Sequence, residues 1–192
     1  MMKLNLGCGS NPMPGWVNVD RFEQLKPDLV HDLERLPWPW PNDTVDEINL
    51  FHVLEHLGQE TRLFLGIMQE LYRVCRHGAV IHVAVPHPRH DDFINDPTHV
   101  RPVTAEMLYL FDRQANLEWR RLKAANSQLA LALNVDFAVS HVQIVPSADW
   151  RARLQSGEAT SAELERARLS QNNVIQEIRL RLTVRKESAT AA

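Results

Sequence analysis

Short apolar runs separated by polar turns dominate the first half of the chain. Strand candidates lie near residues 3–6, 16–20, 28–31, 47–51 and 79–85, and such runs suit a parallel sheet buried on both faces. Between residues 59 and 77 the period changes: Leu63, Ile67, Leu71 and Val74 recur at helical spacing, and Gly78 follows as the predicted C-cap. A helix set between two apolar runs predicts a strand, helix, strand unit. Near the C-terminus strict alternation takes over, with Ile178, Leu180, Leu182 and Val184 set among Glu177, Arg179, Arg181, Thr183 and Arg185. This describes a strand with one polar face, suited to antiparallel addition. Residues 137–145 are its predicted partner, and between the two Thr160 and Glu163 have the spacing of a capping box at a helix start.

The connections in the front half are short. Asn11, Pro12, Met13, Pro14 and Gly15 lie between Gly9 and Trp16, too few residues and too many breakers for a crossover helix. The link from Asp20 to Asp28 is equally short and contains Pro27. One sheet face is therefore predicted to lack helical cover. An exposed apolar face is an association surface, so a second subunit, giving a homodimer, or the C-terminal helical segment is expected to cover it.

Length and charge narrow the class. A chain of 192 residues suits one α/β domain, taken as residues 1–186, with 187–192 as a solvated tail. The formal net charge of −3 exerts no general pull toward nucleic acid or an anionic membrane. Cys8 and Cys75 are the only cysteines, and their placement has no metal-type pairing, which fits a reduced compartment. The N-terminus enters a strand at once, without a basic-then-apolar leader, and no apolar run nears the roughly 18 to 20 residues of a membrane span. A soluble, cytoplasmic protein is expected.

The candidate chemistry begins at Leu4-Asn5-Leu6-Gly7-Cys8-Gly9-Ser10, followed by Asp20. Two glycines after a short strand let the backbone turn tightly, so that amide groups approach a ligand which any Cβ would hold off. A carboxylate at the tip of the next strand can accept from both hydroxyls of a ribose. A nucleoside-containing cofactor follows. A dinucleotide-binding dehydrogenase would need a third glycine opening a helix and an acid roughly 20 residues on; here Pro12 stands in that glycine's place and Asp20 arrives early.

Taken with Gly15 to Asp20, His31-Asp32-Leu33 and Leu50-Phe51-His52-Val53-Leu54-Glu55-His56, the glycine turn resembles the class I S-adenosylmethionine-dependent methyltransferases. Within these the chain is most similar to small bacterial members of the type 11 group, over Leu4 to about Pro102. The resemblance implies an α/β, Rossmann-like doubly wound fold, with a mostly parallel seven-stranded sheet, an antiparallel C-terminal strand and, here, reduced N-terminal crossover helices. It implies S-adenosylmethionine as cofactor and methyl transfer to an oxygen or nitrogen acceptor. Carried over by motif, Gly7 and Gly9 approach the methionine part, Asp20 the ribose, and Asp32 the adenine, with Leu33 on the adenine face. Cys8 is read as a packing residue, since transfer from a sulfonium needs no covalent enzyme intermediate. The alternative from another class is a cofactor-binding sensor or assembly module without methyl transfer.

Seven of the nine histidines fall between residues 52 and 99, around the C-terminal ends of the fourth and fifth strands, where open α/β sheets bind ligands. His77 and His82 are read as a helix-end partner and a packed strand residue. His52, His87 and His99 are candidates for a general base acting on the acceptor. A competing reading has His52, Glu55, His56 and His99 bind a divalent metal. It draws on a resemblance to the small-RNA 2′-O-methyltransferases and the ubiquinone-pathway O-methyltransferases, whose E-x-x-E-H motif follows the fourth strand; here His52 replaces the first Glu. The plainer reading, with Glu55 and His56 as helix-start and supporting residues, is preferred to the metal. Trp38-Pro39-Trp40-Pro41 is read as a rigid connector, and Arg179, Arg181 and Arg185 as a wet strand face that matters only for an anionic acceptor. A small-molecule or glycan-like acceptor is favoured over nucleic acid.

Overall fold

A computed structural model describes residues 1–186; the expected tail at 187–192 lies outside the described residues. Seven strands form one sheet: β1 (Met2–Leu6), β2 (Val17–Asp20), β3 (Leu29–Val30), β4 (Val45–Phe51), β5 (Cys75–Pro86), β6 (Phe137–Pro146) and β7 (Ile175–Val184). Their order is β3-β2-β1-β4-β5-β7-β6. The first five run parallel, and β7 is antiparallel to both β5 and β6. The chain starts in the middle of the sheet, steps outward to β3 and returns to β4 on the other side of β1. That reversal opens a crevice beyond the carboxyl ends of β1 and β4, where the Gly7 turn and His52 stand.

One face of the sheet is apolar. Leu4, Leu6, Ile48, Leu50, Ile81, Val83, Leu180 and Leu182 are buried together, and α1 (Thr61–Val74) lays Phe64, Ile67, Met68 and Leu71 against the same core. The connector from β3 to β4 closes over it. Trp38 and Trp40 are buried edge to face. Glu70 of α1 accepts from the Trp38 amide at 2.6 Å, and Arg73 donates to the Trp38 and Trp40 carbonyls. The tryptophans thus pack as the rigid connector expected of them.

The other face departs from expectation. In place of apolar positions it carries Lys3, Asn5, Asn18, Glu47, Asn49, His82, Arg179 and Arg181, brought into rows by the strand registers. Asn5 donates to Asn18 at 2.9 Å and to the Asn11 carbonyl, and the Met13 amide donates to Asn18. The turn at residues 10–16 therefore covers the front strands by polar contacts, where a crossover helix would need an apolar floor. Lys3 and His82 both reach Glu47, at 2.7 and 3.0 Å. The expected apolar bare face is absent because these strands alternate, and their polar positions all fall on the helix-free side.

Three further elements refine the reading. The long helix ends at Val74, and Gly78 lies inside β5 at φ +79° rather than at a helix cap. There it takes up the extra residues between Cys75, opposite Val45, and Val80, opposite Glu47, a bulge that needs a left-handed residue. Short helices α2 (Asp91–Ile94), α3 (Ala105–Tyr109), α4 (Arg113–Leu122) and α5 (Leu129–Leu133) lead into β6. Helices α6 (Ala148–Ser156) and α7 (Ser161–Ser170) then bridge to β7, with the Thr160–Glu163 capping box formed in full. This pair packs a small cluster of Trp150, Ala159, Ala167, Val174 and Ile175. Arg89 anchors it beyond the end of β5 by donating to the Arg168 and Leu169 carbonyls. Arg185 is not on a wet face: it is half-buried and bridges Asp112 and Asp136 at 2.8 and 2.6 Å. Among the described residues no helix is long and apolar enough to cross a membrane.

Candidate active site

The glycine turn divides its work between two residues. A Cβ on Gly7 would meet the Val53 side chain at 2.5 Å, so Gly7 lets β1 and the segment after β4 pack closely. Gly9, at φ +53°, has nothing within 4 Å of the place a Cβ would occupy; its bare side faces open space. The Gly9 amide donates to Asp20 Oδ2 at 2.9 Å and the Phe22 amide to Asp20 Oδ1 at 3.0 Å. Each carboxylate oxygen keeps a second lone pair for a ligand hydroxyl. Cys8 is buried, and burial first, then the Asp20 charge, pushes its thiol up, which suits packing and not nucleophilic chemistry.

Beyond the ends of β2 and β3 lies a cleft of about 290 Å³ with Phe22, Val30 and Asp32 on its walls. Asp32 accepts from the Glu34 amide at 3.0 Å and retains acceptor capacity toward the cleft. Leu33 is placed differently from its expected role: it belongs to the main core, with the Trp38 indole donating to its carbonyl. Phe22 and Val30, exposed by 45% and 50%, are the apolar surfaces at this end, and sequence reasoning passed over both. Their signal was local, since each stands within two residues of a strand's carboxyl end.

The histidines separate by what their ring nitrogens already do. His52 follows β4 at φ +56°, an uncommon backbone for a side-chain-bearing residue outside functional sites. Its Nε2 lies 2.8 Å from Glu177 and its Nδ1 3.6 Å from Glu55. Glu55 and then Glu177 hold this imidazole above its ordinary range. With a carboxylate at each nitrogen, His52 is an ion-pair bridge and offers no free lone pair as a base. His87 accepts the Arg89 amide at Nδ1, which leaves a proton on Nε2, and neither cavity that His52 lines has His87 on its walls.

His56 and His99 come together. Their rings lie 4.5 Å apart, although distant in sequence, because the 96–102 loop folds back over Glu55: the Val100 and Arg101 amides both donate to the Glu55 carbonyl. His99 Nδ1 pairs with the Phe93 carbonyl at 2.9 Å, and the ring stacks on Phe93. His56 Nδ1 pairs with the Thr98 hydroxyl, which itself donates to Asp96. Both Nδ1 atoms must then be donors, and in the neutral rings the lone pair falls on Nε2, which in His99 lies 3.8 Å from Asp96. Beside them is the Glu55 carboxylate, fully buried, with neither oxygen hydrogen-bonded. Ligand atoms of Glu55, His56 and His99 all lie within 4.8 Å of one another, a set of two imidazoles and a carboxylate that suits a divalent transition metal. His52, the fourth expected member, adjoins the cluster through Glu55.

No protein-family model and no curated protein sequence matches the chain. Solved structures do. A SAM-dependent methyltransferase from Archaeoglobus fulgidus superposes with a TM-score of 0.62 at 17% identity, covering 95% of this chain and 85% of that one. A 16S rRNA (adenine(1408)-N(1))-methyltransferase from Catenulisporales acidiphilia, solved with its cosubstrate SAM, gives 0.54 at 18% identity over 99% and 88%. The cyclase SpnF gives 0.55 at 15% identity over 97% and 76%. The fold is that of the class I SAM-dependent methyltransferases. At the edge of this fold that follows β1 to β3 stand an open approach at Gly9, a carboxylate with free lone pairs at Asp20, and a mixed cleft in which Phe22 and Val30 adjoin Arg21, His31, Asp32 and Arg35. The same fold brings His52, Glu55, His56 and His99 to one edge, and leaves His87 apart from them.

Proposed function

We propose that this chain binds S-adenosylmethionine at Gly9, Asp20 and Asp32 and transfers its methyl group to an oxygen or nitrogen acceptor at the edge formed by residues 52–56 and 96–102. The observation that carries this reading is Gly9 turned toward open space with its amide on Asp20, at the switch point of the sheet. When bound, S-adenosylmethionine supplies a methyl group activated by a positive sulfur. The chain's own residues then orient and deprotonate. Asp20 holds the ribose diol, Phe22 and Val30 flank the adenine, and Asp32 accepts from its amine. His99 Nε2, with Nδ1 fixed by Phe93, takes the acceptor proton. A small or glycan-like acceptor remains favoured. Titration calorimetry with the donor, followed by an acceptor screen, tests the proposal. Absence of donor binding at about millimolar concentration, weaker than about −4 kcal/mol, would refute it; binding without turnover on any acceptor favours a sensor or assembly role.

One observation favours a second reading of the same edge, in which Glu55, His56 and His99 hold a divalent metal. A buried carboxylate without hydrogen-bond donors is costly, and among the described residues the ion-pair neighbour of Glu55 is the exposed His52, at 3.6 Å. A bound cation would lower the pKa of an acceptor hydroxyl. Elemental analysis of chelator-free protein decides, and full activity in EDTA with no metal present would end this reading.

A further inference from the structure

The largest of the cavities described, about 580 Å³, lies on the helix-free side of the sheet and runs from His52 along β5, β7 and β6. Its floor is small where the neighbours are large: Ala84 sits between Phe51 on β4 and Arg179 on β7. One row along the sheet, Arg181 stands directly opposite His82 on β5 and His141 on β6. Directly opposed side chains in a sheet have Cβ atoms about 4.5–5.5 Å apart, and like charges so placed are destabilising. A guanidinium flanked by two imidazoles on the wall of one cavity is a donor set that suits an anion.

The acids on this face are already committed. Glu47 pairs with Lys3 and His82, and Glu177 pairs with His52 and, at 2.5 Å, with Arg179. Arg181 has no ion-pair partner and His141 no side-chain hydrogen bond among the described residues. From this row to His52 is about three residues of strand, roughly 10 Å.

We propose that the cavity binds the acceptor's anionic group at Arg181, His82 and His141, so that the acceptor is a small phosphorylated or carboxylated molecule whose methylated atom lies about one or two sugar rings away. Phe51, 47% exposed at the upper edge of the cavity, supplies an apolar wall for the intervening ring. The assignment of an acceptor, though not the anion site itself, rests on the methyl-transfer reading above.

The test is an NMR titration of the full chain, without donor, using inorganic phosphate, glucose 1-phosphate and glucuronate as separate probes. Saturable shifts at residues 82, 141 and 179–181 are expected, and the preferred probe distinguishes a phosphate from a carboxylate source. Arg181→Ala should weaken that binding by about tenfold or more, the scale of a lost charge-assisted hydrogen bond. Arg166→Ala, which removes the same charge outside the cavity, should not, and S-adenosylmethionine affinity should be equal in all three proteins. No saturable shift at these residues with any probe overturns the proposal even if the donor binds and methyl transfer proceeds. Tighter binding of a single-stranded oligonucleotide at the same residues overturns it in favour of a nucleic acid. A change of oligomeric state in Arg181→Ala overturns it in favour of a second copy. Loss of donor binding alone would strike the methyl-transfer reading and leave the anion site standing.

Discussion

At the scale of single residues, the site is governed by which lone pairs remain free. Asp20 spends one on each of two amides and keeps two, so its replacement by Ala should weaken donor binding by about 1–3 kcal/mol, the scale of hydrogen bonds to a charged group; an unchanged dissociation constant in calorimetry would remove its ribose role. Glu55 is the sharper case. If a cation is bound there, Glu55→Gln should abolish metal content and lower the melting temperature of the metal-loaded protein. If none is, the same change relieves a buried charge and should leave stability equal or higher, so melting curves with and without added zinc separate the two. His87 gives a pH signature. Burial first, then Arg89, His90 and Arg168, push its imidazole below the ordinary 6.5. Its unfolded form binds a proton that its folded form refuses, so stability should fall as pH drops from about 6.5 toward the folded value. In denaturant unfolding curves His87→Gln should lose less stability over that interval than the parent chain; an identical decline would assign the effect elsewhere.

Elements show where local pattern sufficed. The capping box at Thr160 and Glu163 was legible because both partners lie within one turn, and it formed. Thr160→Ala should cost about 1 kcal/mol, read as a lower denaturation midpoint with an unchanged slope. The α1 boundary was misjudged for an equally local reason. Gly78 has the same left-handed backbone in a bulge as in a helix cap, and only the pairing of Cys75 with Val45 shows that the strand had already begun. Arg179, Arg181 and Arg185 look alike in an alternating strand. Their fates diverge because Arg185 meets Asp112 and Asp136 from other elements, Arg179 meets Glu177 on its own strand, and Arg181 meets neither.

For the whole molecule, thin cover at the front was foreseen from loop length, but its consequence was reversed. Strands read as apolar runs actually alternate, as in Lys3-Leu4-Asn5-Leu6 and Glu47-Ile48-Asn49-Leu50, and their polar positions make a helix-free face that water or an anion can occupy. The apolar area that would have driven a homodimer is missing from that face, so light scattering at micromolar concentration should give a monomer. A stable dimer would require an interface elsewhere, because polar strand positions return little from burial.

By itself the sequence determined what is periodic or closely spaced: the parallel strands, the antiparallel C-terminal pair, the glycine turn and the acid that follows it. These depend on backbone conformation and burial within a few residues, which composition and period report directly. Tertiary structure alone decided the rest. It joined His56 to His99 around a buried Glu55, closed both nitrogens of His52 with carboxylates, and set His82 and His141 on either side of Arg181. Those juxtapositions are set by strand register and loop path, which link residues far apart in the chain and leave no periodic trace in it.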